Sequence, residues 1–467
     1  MVGGEGRRWL ALQKDVVVVV TVGVMVGYGR GWIRWSVVVS GDMSNKEVKS
    51  NLSSAAIIGG NQDILTEILL RIPAKSLFKF KCVSKQWLSV ISDPKFCLSH
   101  TRHKLSRYPT PNALLLKNQY SSSPEFQVVP LKDATKVPFL DYLNVPRIKI
   151  ERSCNGLLLC SSASFLKTGE RLKNELGVEG VPVPPANLVD HSSYVINGDD
   201  LGRRYFICNP TTREFKRLPF PSYILIPELL LPHYPWLFYP WIFLAFDPMK
   251  SPYYKIILLR MMSKTEIGID VYSSKTESWT RAPTLFERPL RMFSYDGIFC
   301  NGAIYWYSKA ATSVYFDVDS ETVKKIAMPP MLKDMPLTHI SYFGESRGHL
   351  NLVGFNNFSN LSELYVWEMP PNHCGWLLRY LVDLHSIREN PRAISVLSVI
   401  RTEKEEESML VLLMDGGRVV SYNTCDGTSN KLCDLEPRTE IENNSGKLDY
   451  NGRDVYQYFE TLISFPE

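Results

Sequence analysis

Five times between Cys208 and Leu435 the chain repeats one phrase: an aromatic-ended apolar run, a polar turn rich in Ser, Thr, Asn or Asp, and a second run. The copies are "CNPTTREFKRLP" from Cys208, "YSSKTESWTRAP" from Tyr272, "FDVDSETVKKIAMPP" from Phe316, "WEMPPNHCGWLLRYL" from Trp367 and "YNTCDGTSNKLCDL" from Tyr422, standing 64, 44, 51 and 55 positions apart. A period of that length, holding about four strands, fits the blades of a β-propeller rather than a solenoid. Asn155-Gly156, Asn301-Gly302, Arg347-Gly348 and Gly416-Gly417 stand beside runs of strand formers, where tight hairpin turns belong. "NALLLKNQYSSSPEFQVVPL" could belong to one more blade, and the blade count stays open. Two insertions break the rhythm, roughly 166 to 200 and 220 to 243. The second, "PFPSYILIPELLLPHYPWLFYPWIF", is rich in proline and aromatics, and a loop of that kind is either packed on the domain or a binding surface.

At 467 residues the chain has room for one large β domain and a small appendage. Its net charge of +5, with no long Lys/Arg run, gives no footprint for nucleic acid. Nine cysteines without a CxxC pair fit neither a disulfide framework nor a zinc site. Cys82, Cys160, Cys208 and Cys300 lie in apolar runs and are expected to pack as small hydrophobes in a reducing compartment. The eight histidines lack metal-ligand spacing, and His100 and His103 read as solvated residues of a polar bridge, "TRHKLSRYPTPN". "GYGRG" lacks the Lys-Ser/Thr and the following helix of a phosphate loop, and no nucleophile elbow or dinucleotide fingerprint is present. Asp247, Asp270 and Asp317 sit near strand ends, where Asp closes turns through its side chain. No catalytic set, metal or cofactor is expected.

The beginning of the chain reads differently. "VVVVVTVGVMV", Val16 to Val26, is 11 residues long against the about 20 of a membrane helix. Arg7, Arg8 and Lys14 precede it as in a signal peptide, but Asp15 abuts it and "GYGRGWIRW" makes a poor cleavage region. "MSNKEVKSNLSSAA" from Met43 reads as a polar leader, and residues 1–60 as a flexible extension. From Asp63 the period becomes helical. Ile64, Leu65, Ile68, Leu69 and Ile72 form one face, and Leu77, Phe80, Val83 and Trp87 form another, with Ser76 as the expected cap of the second helix. A third short turn runs from Leu88 to Ser92. So small a block carries more apolar surface than it can bury alone.

"ILTEILLRIPAKSLFKFKCVSKQW" resembles an F-box, and "SCNGLL", "NPTTREFKRLP", "LAFDPMKSPYYKI", "IDVYSSKTESW" and "CNGAIYW", in that order, resemble the F-box-associated, kelch-like domain of plant F-box proteins. The expected fold is α+β multidomain: a three-helix F-box at 61–105, then an all-β propeller at 106–467. The resemblance implies a substrate receptor of a Skp–cullin–F-box ubiquitin ligase, present in cytoplasm or nucleus, whose partners are the Skp-type adaptor, through it cullin, and a target protein. It implies no catalysis, nucleic acid or membrane. A recognition propeller for a peptide or glycan, with a degenerate F-box, is the alternative. By matching positions, Ile64, Leu65, Ile68, Leu69, Ile72, Pro73, Leu77, Val83 and Trp87 face the adaptor or support that face, with Trp87 read as an internal pin. Residues 58 to 105 alone are expected to bind the adaptor, and Ile68→Asp with Leu69→Asp to abolish binding. Gly60-Asn61 replaces the Leu-Pro pair usual in the family, a departure at the edge of that contact. Tyr223, Tyr234, Trp236, Tyr239 and Trp241 are the candidate target-binding aromatics.

Overall fold

The computed structural model describes residues 7–13, 16–24 and 31–38 as strands. It also describes residues 61–465 apart from 108–109, 118–125, 133–139, 144–147, 163–192, 197–203, 220–223, 228–240, 263–264, 288–296, 309, 330–338, 356–362, 373–374, 385–393, 403–406 and 436–454. The chain divides into two compact units, one of residues 1–107 with 461–467 and one of residues 108–460. That division moves the expected boundary: the segment after residue 460 leaves the β domain and joins the helical one.

Residues 108–460 form a six-bladed propeller. Four blades are plain four-stranded antiparallel sheets, at residues 148–218, 298–327, 339–383 and 395–434, and one, at residues 241–287, adds a short fifth strand. The remaining blade is closed from both ends of the domain, because Val455–Tyr458 pairs with Ala113–Lys117, which pairs with Phe126–Pro130. Leu114, Leu116 and Val129 of this blade pack with Leu397, Val411 and Val419 of the preceding one, sealing the ring.

Second and third strands such as Leu157–Ser162, Tyr205–Asn209 and His349–Phe355 are buried along nearly their whole length. They lie between neighbouring blades and bury both faces, which is why they read as continuous apolar runs instead of alternating ones. Fourth strands such as Glu214–Leu218, Thr322–Ala327 and Ser429–Asp434 are largely exposed and carry the lysines, as edge strands do when they avoid pairing with other chains.

The repeated phrase has a local cause. Between third and fourth strands, a side chain at the strand end accepts a backbone N–H two residues on: Asn209 from Thr211 (2.9 Å), Ser273 from Lys275 (3.3 Å), Asp317 from Asp319 (3.2 Å) and Asn423 from Cys425 (2.8 Å). Four residues after each of these caps the backbone turns left-handed, at Arg213 (φ 62°), Glu277 (φ 53°), Glu321 (φ 52°) and Gly427 (φ 71°). Only the last is a glycine, so the side-chain cap, and not glycine alone, sets this turn.

Asp247 and Asp317 close turns as expected: Asp247 accepts the Met249 N–H at 3.0 Å, and Asp317 accepts those of Asp319 and Ser320. The bond from Lys324 holds the Asp317 carboxyl down at about 2. Asp270 departs from the expectation. It lies within the strand Glu266–Ser273, is 6% exposed, and pairs with Arg260 at 2.5 Å and Arg281 at 3.7 Å. A buried carboxylate in mid-strand needs a cation, and the neighbouring strands supply two.

Cys160, Cys208 and Cys300 are free and buried, the first two with sulfurs 3.4 Å apart, whereas Cys82 is exposed. Burial raises the Cys160 and Cys300 thiols well above their ordinary range. The expected flexible extension carries a three-stranded antiparallel sheet, Arg7–Gln13, Val16–Val24 and Gly31–Val38. Val16–Val24 is almost entirely valine, a residue whose branched side chain favours strand, and this overrides the reading of the flanks as linker. No helix among the described residues is long and apolar enough to cross a membrane.

Candidate docking site

Four helices build the candidate docking unit. The first, Gln62–Leu70, begins at Asn61, whose side-chain oxygen accepts the N–H groups of Asp63 (3.0 Å) and Ile64 (3.2 Å). The departure at Gly60-Asn61 therefore supplies a helix cap, of the kind that contributes about 1 kcal/mol. The second helix, Ala74–Phe80, is capped at Pro73, three residues ahead of the expected Ser76, and the Pro73 carbonyl accepts the Leu77 N–H at 3.2 Å. Ser84 caps the third, Lys85–Ser92, by accepting the Trp87 N–H at 3.2 Å.

The fourth helix, Pro94–Arg107, occupies what reads in sequence as a polar bridge. Its buried stripe is Phe96, Cys97, His100 and Thr101, the spacing of one helical face. Three of those four residues are not plainly apolar, and each has a partner. The Cys97 thiol donates to the Ile91 carbonyl, His100 Nε2 stands 2.7 Å from the Ile72 carbonyl, and the Thr101 hydroxyl accepts the Leu462 N–H at 3.3 Å. His100 is thus no solvated loop residue but fully buried, with its ring 6.0 Å from that of Phe96. Burial lowers its pKa from 6.5 to about 4, and with the ring neutral it is the Nε2–H tautomer that donates to Ile72.

The nine expected docking residues divide. Leu65, Leu69, Ile72, Leu77 and Trp87 are between 0% and 8% exposed and lie in the unit's own core with Ala74, Phe80, Val90, Ile91, Phe96 and Leu462. They hold the unit together and are not presented at its surface. Trp87 is the internal pin expected of it, edge-on to Phe80 with ring centroids 5.5 Å apart. Ile68 and Val83 are half-buried against this core, while Ile64 and Pro73 are exposed. Periodicity missed Leu88, which is 46% exposed and follows Trp87 off the buried stripe of Trp87, Val90 and Ile91. An apolar residue standing off its helix's buried stripe is the sign that could have found it. Ile64 is similarly open, at 41%.

In the propeller, strands alternate in direction, so turns joining first to second and third to fourth strands share one end, and all other connections share the opposite end. Both long insertions fall at that opposite end. One joins the strands Leu157–Ser162 and Tyr205–Asn209; the other leads from Glu214–Leu218 into the next blade. They meet there, because Ser193–Ile196 pairs antiparallel with Ile224–Pro227. Of the five candidate aromatics, Tyr223, Tyr234, Trp236 and Tyr239 lie outside the described residues. Trp241 is 6% exposed and packs with Phe243, Ile257 and Leu259 in a blade core. It opens an inner strand whose side chains are shared between blades, which corrects its reading as part of an exposed loop.

Family comparisons agree with this division. The F-box domain matches residues 61–99, and the F-box associated beta propeller domain matches residues 188–412. The folded ring extends past the second match at both ends, from Ala113 to Tyr458. Among curated relatives from Arabidopsis thaliana, F-box protein At5g07610 is 28% identical, over 82% of this chain and 88% of its own length. F-box protein At5g03970 is 22% identical over 82% of each chain, and F-box/kelch-repeat protein At3g23880 is 23% identical over 66% of this chain and 74% of its own. A capped helical unit matched by the one model and a six-bladed ring matched over 188–412 by the other, in that order along one chain, give this protein the F-box domain and F-box-associated β-propeller domain of its Arabidopsis relatives.

Proposed function

We propose that the chain is a substrate receptor of a Skp–cullin–F-box ubiquitin ligase, working in cytoplasm or nucleus. Its helical unit docks on a Skp-type adaptor and its propeller holds the protein to be ubiquitylated. F-box proteins are generally non-catalytic subunits, so the contribution is proximity between target and ligase. The observation that carries the adaptor half is that the unit's own core is complete while Ile64 and Leu88 stay open at 41% and 46%. Apolar side chains of that size gain roughly 1.5–3 kcal/mol each on full burial. Ile64→Glu and Leu88→Glu, made singly, change only surface positions and should leave folding within about 0.5 kcal/mol of the parent. Adaptor affinity, measured by calorimetry on purified chains, is expected to fall about tenfold for Ile64→Glu. If both variants bound like the parent, the docking face would have to lie elsewhere.

Target binding is assigned to the propeller end where the two insertions pair, since the described connections at the other end are at most nine residues long, the longest being 246–254. A chain lacking residues 228–240 should keep its adaptor but lose the proteins that accumulate on the parent when the proteasome is blocked, compared by mass spectrometry. An unchanged set of captured proteins would remove the insertions from the target site.

A further inference from the structure

We propose that the segment Thr461–Ile463, which follows the ring-closing strand, is a working part of the docking unit, and that Leu462 acts as a positioning residue for adaptor binding. This rests on the adaptor reading above. Thr461, Leu462 and Ile463 are 0%, 2% and 4% exposed, and Leu462 belongs to the core of Leu65, Leu69, Ile72 and Leu77. Sequence distance hides this, because Leu462 lies some 360 residues from the helices it completes.

The contacts form a path. Leu462 donates its N–H to Thr101 on the fourth helix; the next residue, His100, holds the Ile72 carbonyl just beyond the first helix; and the first helix presents Ile64. A helical unit of about 45 residues has little stability to spare. Removing one fully buried leucine and the bond to Thr101 therefore shifts much of the population to an open unit, and apparent affinity falls with the fraction still competent.

The same stretch of chain has a second task. Val455–Tyr458 closes the propeller on Ala113–Lys117, and Asn112 ties the exit by donating its N–H to the Tyr458 carbonyl (2.7 Å) and accepting the Glu460 N–H (3.0 Å). Nine residues, Val455–Ile463, thus complete both the ring and the helical core. A chain that stops ahead of them has neither, so a ring left unclosed cannot recruit the ligase. Docking competence is thereby tied to completion of the target-holding domain.

The test uses the whole chain, a chain ending at Glu460, and Leu462→Asp and Leu462→Met in the whole chain. Two readouts are taken: affinity for purified Skp-type adaptor, and amide hydrogen exchange. The chain ending at Glu460 and Leu462→Asp are expected to bind about tenfold more weakly or worse. Their amides at 62–105 should exchange fast, while those of Leu157–Ser162 stay protected. Leu462→Met keeps volume and apolar character and should restore both readouts. Parent-like protection of 62–105 in the chain ending at Glu460 would overturn the proposal, as would equal loss in Leu462→Asp and Leu462→Met. If the parent itself failed to bind adaptor, the ligase reading would fall, and hydrogen exchange would still decide whether the segment completes the helical unit.

Discussion

A chain carrying Leu69→Asp should purify with a folded propeller and an unfolded helical unit. Leu69 is 0% exposed and shares its core with Leu65, Ile72, Leu77, Ile91 and Leu462, none of which can pair a carboxylate. The substitution removes a core leucine, at about 2–5 kcal/mol, and adds the cost of an unpaired buried charge. A total at or above about 4–5 kcal/mol is as large as the whole stability expected of so small a unit. Hydrogen exchange followed by mass spectrometry separates the outcomes: amides of residues 62–105 should exchange at once, and those of His349–Phe355 should not. Ile64→Glu, one turn earlier on the same helix but exposed, should leave all of them protected. Protection of the helices in Leu69→Asp would refute the core described here.

Ile68→Asp with Leu69→Asp would abolish adaptor binding as expected, but by melting the unit and not by charging its contact face. Likewise, residues 58–105 alone lack Leu462 and the bond to Thr101, so their failure to bind adaptor would say little about the complete chain.

The ring was readable because its repeat is local. A capping Asn, Ser or Asp at the strand end and a left-handed residue four positions later mark four of the five turns within a few residues of sequence, and the strands between blades are apolar throughout. The three helices from Asp63 to Ser92 were readable for the same reason, through apolar residues at helical spacing. What escaped depends on contacts made across the chain. Cys97, His100 and Thr101 form a buried stripe only because the carbonyls of Ile91 and Ile72 and the N–H of Leu462 satisfy them, so a hydropathy count takes the fourth helix for solvated loop. Asp270 resembles a turn residue until Arg260 and Arg281 appear on the strands beside it. Leu462 carries no local mark of its destination. The division of the docking residues is the same problem in smaller form: period locates an apolar face, but which of its members are covered depends on the neighbouring helices, one of which went unread.

Acidification should open the helical unit before the propeller, and His100 supplies the reason. Its folded-state pKa, about 4, lies below the unfolded value of 6.5, with burial the first cause and the positive charges of Lys104 and His103 acting in the same direction. Between these two values the unfolded chain binds a proton that the folded unit excludes, so stability is full above about pH 6.5 and is lost as pH falls. The linkage gives a loss of about 2 kcal/mol by pH 5 and about 3 kcal/mol by pH 4. In the propeller, the acid-side stabilisation from Asp317 survives until its carboxylate protonates between 3.8 and about 2, below that window. Hydrogen exchange at a series of pH values, corrected for the intrinsic exchange rate, should therefore show residues 62–105 losing protection between pH 6.5 and 4 while blade amides hold. His100→Gln keeps a side-chain N–H for the Ile72 carbonyl and removes the titrating ring, so it should flatten this dependence even if it lowers stability at neutral pH. A His100→Gln chain whose helices open along the parent's pH curve would show that some other group carries the proton.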